Sequence, residues 1–367
     1  SREQNEYFNR VGKDKPGYKQ FKRWEWYYST RLGGNGQLVD NHQLNQEAVR
    51  RMSLSGAGST GLTNVTTGSW SALGPGFVNS ADKGIGRANR IAFHPTNPNI
   101  LYVAGATGGL WISSDAGANW FSYSEGIPNM SLSGVAVDYT NPNIIYILTG
   151  DADAAFSGAS GQFAYGKTST GVLKSYDEGF TWHQTGLQWG ETGTGSYLGF
   201  KLMMHPTNPQ ILLVATNDGI FRTTDGGTTW TQSNTGQVFY DMEFQPSNSS
   251  VVYASATASD SIRVFKSTNS GQTFTATHAI DRVDDADGNN AANRSALAVS
   301  PANSSYVYLL TGPATANGEF HGVFRSVDAG ESFTLRTNTP NILGGSSTGS
   351  DNNHQERYDL AIAVSPT

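Results

Sequence analysis

Ser113-Ser-Asp115-Ala-Gly117-Ala-Asn-Trp120 is the clearest indication of the fold of this 367-residue chain, because its pattern, Ser/Thr-x-Asp/Asn-x-Gly-x-x-aromatic, occurs five times. In the other four copies the third residue is Asp177, Asp225, Asn269 or Asp328. Neighbouring copies lie roughly 45 to 60 residues apart, a spacing typical of propellers, solenoids and other arrays of one structural unit.

Each copy is expected to form a tight, buried turn between two strands. Gly tolerates the positive φ that such a turn requires. The Asp two residues earlier can accept hydrogen bonds from the N–H groups of its own turn and from the Ser/Thr hydroxyl. The aromatic residue then enters the next strand and packs into the core. The third residues of the five copies are therefore predicted to be structural.

Each motif is preceded by two short apolar runs with a turn rich in Pro and Asn between them. In the first unit the runs flank Pro95-Thr-Asn-Pro98, and in the third they flank Pro206-Thr-Asn-Pro209. Short runs rich in Val, Ile, Tyr and Phe that are bounded by such turns predict β-strands. Each unit therefore has four strands, A to D, with the motif between C and D, which is one blade of a β-propeller.

The predicted fold is an all-β propeller of six or more four-stranded blades, incomplete in this chain. Residues 69–367 hold five complete units and the start of a sixth at Leu360-Ala-Ile-Ala-Val-Ser-Pro366. The segment Trp70-x-x-Leu73-Gly-Pro75 is predicted to be a lone outer strand. A content of 43 Gly and only 15% charged residues fits a turn-rich β domain.

Residues 1–68 lack the repeat and are predicted to form a helical, aromatic and basic N-terminal arm. Residues 1–60 contain ten Lys or Arg and six Asp or Glu, whereas the whole chain has a net charge of −6. Such a segment could be a patch for nucleic acid or an anionic glycan. It could equally pack on the acidic propeller, with Lys and Arg stems covering apolar surface. We favour the packed arm and expect no nucleic-acid partner.

The repeated motif resembles the Asp box of sialidase-like, sortilin-like and xyloglucanase-like β-propellers, in which it is a structural hairpin and its Asp is not catalytic. The order of Phe21-Lys-Arg-Trp-Glu-Trp26, Trp70–Pro75 and the repeats also resembles bacterial surface proteins exported by the type IX secretion system. These resemblances imply a β-propeller that is secreted to the cell surface or the medium.

The long insertions of the chain all fall between strands B and C or between strand D and the next strand A. These connections lie on one face of a propeller, here called the long-loop face, and long loops without periodicity are often functional. The insertions are 150–170, 189–199, 279–294, 311–320 and 336–358. The side chains predicted to bind a ligand are Phe163, Tyr165, Trp189, Tyr197, Phe320, His354 and Tyr358.

Aromatic rings beside carboxylates suit a glycan, since the rings stack on sugar C–H faces, but they also suit a protein interface. We expect non-catalytic binding of a glycan, or of a surface or secretion-machinery protein. One alternative is a glycoside hydrolase that uses two loop carboxylates such as Asp151 and Glu356. Another is a passenger or scaffold region of a larger exported protein.

Two departures from the resembling enzyme families favour binding over catalysis. Xyloglucanase-like propellers place a catalytic Asp just before the Gly-Gly that opens strand C of an early blade, where this chain has Ala106. Sialidases use an Arg-Ile-Pro motif, and the nearest segments here are Arg90-Ile-Ala and Arg263-Val-Phe.

One segment is a candidate calcium site, because its oxygen ligands cluster around a Gly turn. Its residues are Asp281, Asp284, Asp285, Asp287 and Asn289. A solvated acidic turn would explain the same residues, and no other cofactor is expected. The absence of Cys excludes disulfides and thiolate metal sites. No apolar run in the sequence is long enough to predict a transmembrane helix.

Overall fold

The computed structural model describes residues 87–124, 127, 131–155, 168–189, 197–258, 261–281, 294–312, 320–343 and 360–365, together with Glu6, Tyr7 and Arg10. The chain divides into two units, Ser1–Gly86 and Arg87–Thr367. Apart from those three residues, the predicted arm over 1–68 lies outside the described residues, as does the segment Trp70–Pro75. The arm, the outer strand and the predicted boundary at 68/69 stay predictions.

Among the described residues, twenty strands form five four-stranded antiparallel sheets, and in each sheet the strands are hydrogen-bonded in chain order. This architecture confirms the all-β, incomplete β-propeller. The first sheet contains β1 (Ala88–Phe93), β2 (Leu101–Gly105), β3 (Gly109–Ser113) and β4 (Phe121–Ser122). The second contains β5 (Leu132–Val137), β6 (Ile145–Thr149), β7 (Gly171–Ser175) and β8 (His183–Gln188). The third contains β9 (Gly199–His205), β10 (Asn208–Thr216), β11 (Gly219–Thr223) and β12 (Thr231–Thr235).

The fourth sheet contains β13 (Val238–Gln245), β14 (Asn248–Thr257), β15 (Ser261–Ser267) and β16 (Thr275–Asp281). The fifth contains β17 (Ser295–Val299), β18 (Val307–Thr311), β19 (Gly322–Ser326) and β20 (Thr334–Thr337). One short helix, α1 (Ala152–Ala155), follows β6. The sheets are called blades one to five below.

The first strand of each blade lies innermost. Strands β1, β5, β9, β13 and β17 contact one another in succession, which places them around a common centre. The apolar core lies between neighbouring blades. In one cluster, Phe200 of β9 packs with Phe239 of β13 and Val252 of β14. Because each blade buries its faces against the neighbouring blades, its inner strands carry apolar residues on both sides.

The five motif turns, residues 113–120, 175–182, 223–230, 267–274 and 326–333, share one hydrogen-bond pattern. In blade three the Thr223 hydroxyl donates to Asp225 Oδ1 at 2.7 Å and accepts the Gly227 N–H at 3.0 Å. Asp225 also accepts the Thr229 N–H at 2.9 Å. Thr223 is 2% exposed, whereas Asp225 is exposed to solvent. The expectation of a buried turn is therefore correct for the hydroxyl and wrong for the carboxylate, which caps the turn from outside.

Asn269 replaces the acidic residue in blade four and keeps the same pattern. Its Oδ1 accepts the Ser267 hydroxyl and the Thr273 N–H, each at 2.9 Å, and its Nδ2 donates to the Thr273 hydroxyl at 2.8 Å. An amide can therefore hold this turn without a charge.

The residue between the third position and the Gly of each motif, here called position four, adopts a left-handed conformation. Its φ is 58° at Ala116, 61° at Glu178, 66° at Gly226, 55° at Ser270 and 58° at Ala329. In all five blades its N–H donates to a carbonyl of the A–B turn or of the first residues of strand B, for example from Glu178 to Asn143 at 3.0 Å. This bond fixes the A–B and C–D turns at the same end of every blade.

Candidate functional site

The long connections emerge at the end opposite the motif turns. There, the first residue after strand B donates its N–H to the residue that precedes strand A. These bonds join Ala106 to Arg87 at 3.0 Å, Gly150 to Ser131 at 2.6 Å, and Gly312 to Arg294 at 2.8 Å. The described ends of these connections therefore lie at the end predicted for the long-loop face, and α1 lies there as well.

Helix α1 connects three blades through two ion pairs. Asp151, just before the helix, pairs with Arg87 at the start of blade one. Asp153, inside the helix, lies 2.8 Å from Arg294 at the start of blade five, as measured between Oδ1 and Nη1. The helix itself follows β6 of blade two, and Ala152 packs in the core cluster of blades three and four. This segment therefore ties the inner strands together at the long-loop face.

The two carboxylates of this segment are buried. Asp151 is fully buried and also lies 3.3 Å from Nδ2 of Asn89, which donates in turn to the Leu132 carbonyl at 2.8 Å. Asp153 is 8% exposed. A general acid or nucleophile must reach its substrate, and Asp151, the described member of the predicted carboxylate pair, is held inside the fold by Arg87.

Two of the aromatic residues predicted to bind a ligand pack against each other. Trp189 stacks on Tyr197 with ring centroids 5.0 Å apart and an interplanar angle of 10°, and Phe221 makes a T-shaped contact with each ring. Trp189 is 9% exposed, while Tyr197 is half-buried. In this arrangement Trp189 supports the loop, and Tyr197 is the partly accessible ring of the pair.

Phe320 has a similar packing role. It is 6% exposed and packs with Leu310 of blade five and with Leu360 at the start of the sixth unit. Its ring faces apolar side chains, so its contribution to the long-loop face is to hold the connection between β18 and β19.

Ala106 occupies the position where the resemblance places a catalytic Asp. It is 5% exposed and lies in the turn between β2 and β3, with its N–H bonded to the Arg87 carbonyl. A methyl group at this position can neither accept nor donate a proton.

Several predicted site residues lie outside the described residues. They are Phe163, Tyr165, His354, Glu356, Tyr358, Asp284, Asp285, Asp287 and Asn289. Asp281 is the last residue of β16. Within the described ranges no group of three His, Cys, Asp or Glu residues could hold a metal ion. Calcium and the ligand-binding roles of these residues stay predictions.

The sequence did not indicate an ionic cluster on the inner strands. Lys201 Nζ of β9 lies 2.6 Å from Asp241 Oδ1 and 2.6 Å from Glu243 Oε1, both on β13. Asp241 Oδ2 accepts the N–H of Leu297 on β17 at 2.7 Å, so this carboxylate joins blades three, four and five. The signal available in the sequence was the pair of acidic residues Asp241 and Glu243, two positions apart in an otherwise largely apolar strand.

Burial and charge act in opposite directions on this cluster. Burial alone would lower the pKa of Lys201, but the charges of Asp241 and Glu243 outweigh it, and the pKa is raised. Burial raises the pKa of Glu243, and Asp241 adds to this effect while Lys201 opposes it. The three side chains contact one another across two blades, so we interpret the cluster as a connection between the inner strands.

Sequence comparisons find partial relatives among xyloglucanases, and no protein-family model matches the chain. The chain is 27% identical over 168 residues to a xyloglucanase of Acetivibrio thermocellus, covering 42% of this chain and 19% of that enzyme. It is 26% identical over 152 residues to a xyloglucanase of Hypocrea jecorina, covering 39% and 17%. The chain therefore spans less than a fifth of the length of these relatives.

Solved structures with a similar course of the chain include other propellers of low sequence identity. An ancestral GH74 enzyme is 19% identical, with a TM-score of 0.47 over 65% of this chain and 30% of that chain. A GH74 enzyme of Niastella koreensis is 19% identical, with a TM-score of 0.44 over 72% and 48%. The YCF48 protein of Cyanidioschyzon merolae is 13% identical, with a TM-score of 0.34 over 68% and 85%.

No helix among the described residues is both long and apolar enough to cross a bilayer.

Proposed function

We propose that this chain is part of a secreted or surface-associated propeller protein that binds a β-linked glycan at its long-loop face. The observation that carries the proposal is the separation of the two ends. The motif turns and the short A–B turns are bonded together at one end, and the connections that can vary in length emerge at the other. Variable loops on a rigid scaffold are the usual location of a binding site.

The contacts that hold α1 in place favour a rigid binding face. Asp151 and Asp153 are paired with arginines from blades one and five, and the helix is anchored in the core through Ala152. Loops that leave this segment start from fixed positions. A site whose supports are ordered before binding loses less entropy when the ligand arrives.

The partial similarity to xyloglucanases indicates the chemical class of the ligand. It covers 42% of this chain at 27% identity, and the names of those relatives specify xyloglucan, a β-linked glucan with side chains. We therefore place β-glucans first among candidate ligands. A second surface protein is the alternative partner, because the same aromatic and acidic side chains suit both.

Calorimetric titration with xyloglucan oligosaccharides, mixed-linkage β-glucan and sialylated glycans would test the proposal. We expect saturable binding of a β-glucan, which Phe163→Ala or Tyr165→Ala weakens at least tenfold, because stacking aromatics often dominate such recognition. Tyr176→Ala is the matched control, since Tyr176 is 56% exposed but lies in a motif turn at the opposite end. Equal losses in all three variants, or no binding of any glycan, would contradict the proposal.

Glycoside hydrolysis is the second candidate function, and the names of the partial relatives favour it. Hydrolysis needs two carboxylates at a controlled separation. Since Asp151 is buried in an ion pair and Ala106 cannot act as an acid or base, the pair would include loop carboxylates such as Glu356.

Release of reducing sugar from the same glycans distinguishes cleavage from binding. If the protein is a hydrolase, Glu356→Gln should abolish release, while binding and thermal stability persist. Glu331→Gln is the matched control, because Glu331 lies in a motif turn at the other end. Binding without release would support the non-catalytic proposal.

A further inference from the structure

From blade two to blade five, neighbouring blades are joined by side chains that reach from one blade to the motif turn of the next. Tyr146 of β6 and Lys174 of β7, both in blade two, donate to the same carbonyl, that of Gly226 at position four of the blade-three turn. Each donor–acceptor distance is 3.1 Å. A hydroxyl and a basic side chain thus converge on one backbone oxygen.

The next two junctions repeat this arrangement with different residues. Arg222 of blade three donates from Nε to the Ser270 carbonyl, again at position four, at 2.9 Å. In blade four, the Tyr253 hydroxyl donates to the Ala329 carbonyl at 3.0 Å, and Lys266 pairs with Glu331 of the blade-five turn at 2.8 Å. The carbonyl at position four is therefore an acceptor at each of these three junctions between successive blades.

Blade five presents the same donors without a following turn among the described residues. Tyr308 lies opposite Ala298 in the sheet, as Tyr253 lies opposite Glu243 and Tyr146 opposite Ala136. Tyr146 and Tyr253 are at most 1% exposed, because the next motif turn covers them, whereas Tyr308 is only half-buried.

Arg325 is the second donor of blade five. It directly precedes the motif Ser326, as Arg222 precedes Thr223. Its Nε is buried and has no hydrogen-bond partner in the described structure, and its guanidinium group lies 5.1 Å from the ring centroid of Tyr306. A buried, unpaired donor is costly, so this atom requires an acceptor.

The inner half of the same blade is already covered. Leu360, which is 8% exposed, packs with Ala296 and Leu310, and Ile362 packs beside it. The segment Ile362-Ala-Val-Ser-Pro366 matches Leu297-Ala-Val-Ser-Pro301, which includes the end of the inner strand β17. It thus occupies the place of the first strand of a sixth unit, whose motif turn, by the geometry of the other junctions, would lie over Tyr308 and Arg325.

We propose that the outer half of blade five is a docking surface for the motif turn of a sixth repeat unit, in which Arg325 and Tyr308 donate to the carbonyl at position four. The surface recognises a tight turn with a left-handed residue that directs its carbonyl outward. This proposal concerns assembly and does not depend on which ligand the long-loop face binds.

Thermal unfolding of the longest natural form of the protein that contains this chain tests the proposal. We expect Arg325→Ala to lower the melting temperature by about 2–4 °C, a shift of the size that loss of one buried hydrogen bond produces. Arg325→Lys should retain most of the stability, since Lys174 fills this role in blade two. Arg222→Ala, which removes a contact present in the structure, gives the reference shift, and Tyr308→Phe is a milder second variant.

Two results would overturn the proposal. In the first, Arg325→Ala and Tyr308→Phe leave the melting temperature unchanged while Arg222→Ala lowers it. In the second, the protein sediments as a dimer that Arg325→Ala dissociates, with a melting temperature that rises with concentration. The occupant of the surface would then be a second copy of the chain.

Discussion

Lys201 and Asp241 lie on the inner strands of neighbouring blades, with Nζ and Oδ1 2.6 Å apart. Both side chains are mostly buried, and the second oxygen of Asp241 accepts the N–H of Leu297 in the following blade. One ion pair therefore fixes the relative position of three blades at their centre. Because the partners lie on different blades, their loss should separate blades from one another before it disturbs any single sheet.

Lys201→Met should lower the free energy of unfolding by about 3 kcal/mol, because it leaves the Asp241 carboxylate buried without its cation. Urea unfolding would measure this difference. Lys266→Met is the matched control, since its partner Glu331 is 58% exposed, and an exposed pair contributes at most about 1 kcal/mol. Equal effects of the two variants would contradict the central role of the Lys201 pair.

Thr223→Val should destabilise the protein more than Asp225→Ala. The Thr223 hydroxyl is buried and accepts the Gly227 N–H, so its loss leaves a buried donor unpaired at a cost of about 1–3 kcal/mol. Asp225 is exposed, and water can replace the bonds that its carboxylate accepts. Urea unfolding of the two variants compares them directly, and a larger loss in Asp225→Ala would show that the carboxylate dominates the turn.

Stability should fall in acid as the motif carboxylates are protonated. Hydrogen bonds from the Thr229 side chain and backbone lower the pKa of Asp225 from 3.8 to about 2. Because the folded-state pKa is the lower one, the ionised group adds stability above about pH 4, and this contribution is lost as the pH falls from about 4 to 2.

Urea unfolding at several pH values between 2 and 5 would measure this dependence. Asp225→Asn should flatten the curve, since Asn269 holds the equivalent turn without a titrating group. Asn269→Asp should steepen it. Parallel curves for all three proteins would show that the motif turns do not contribute to the acid transition.

Chelation tests the calcium site predicted between Asp281 and Asn289. If the site binds Ca²⁺, removal of the ion should lower the melting temperature by mass action, and the double variant Asp285→Ala, Asp287→Ala should abolish that difference. Differential scanning calorimetry with calcium and with a chelator measures both effects. An unchanged melting temperature of the unaltered protein would exclude the site.

The repeated motif was sufficient to predict the blades, because its information is local. A Ser or Thr, an Asp or Asn, and a Gly within five residues specify the turn through bonds among themselves, as those between Thr223, Asp225 and Gly227 show. The alternation of apolar runs and Pro/Asn turns around each motif then predicts the four strands of its blade.

The type and order of the strands in the described blades, and the end at which the long connections emerge, could therefore be predicted from local sequence. How the blades are joined could not be predicted in this way, because those contacts link residues far apart in the chain. Gly134 illustrates the difference: a Cβ there would lie 2.7 Å from Cβ of Leu202 on the next inner strand. Likewise, the sequence predicts Asp151 as an accessible loop carboxylate. The structure shows it buried in an ion pair with Arg87, which lies 64 residues earlier in the chain.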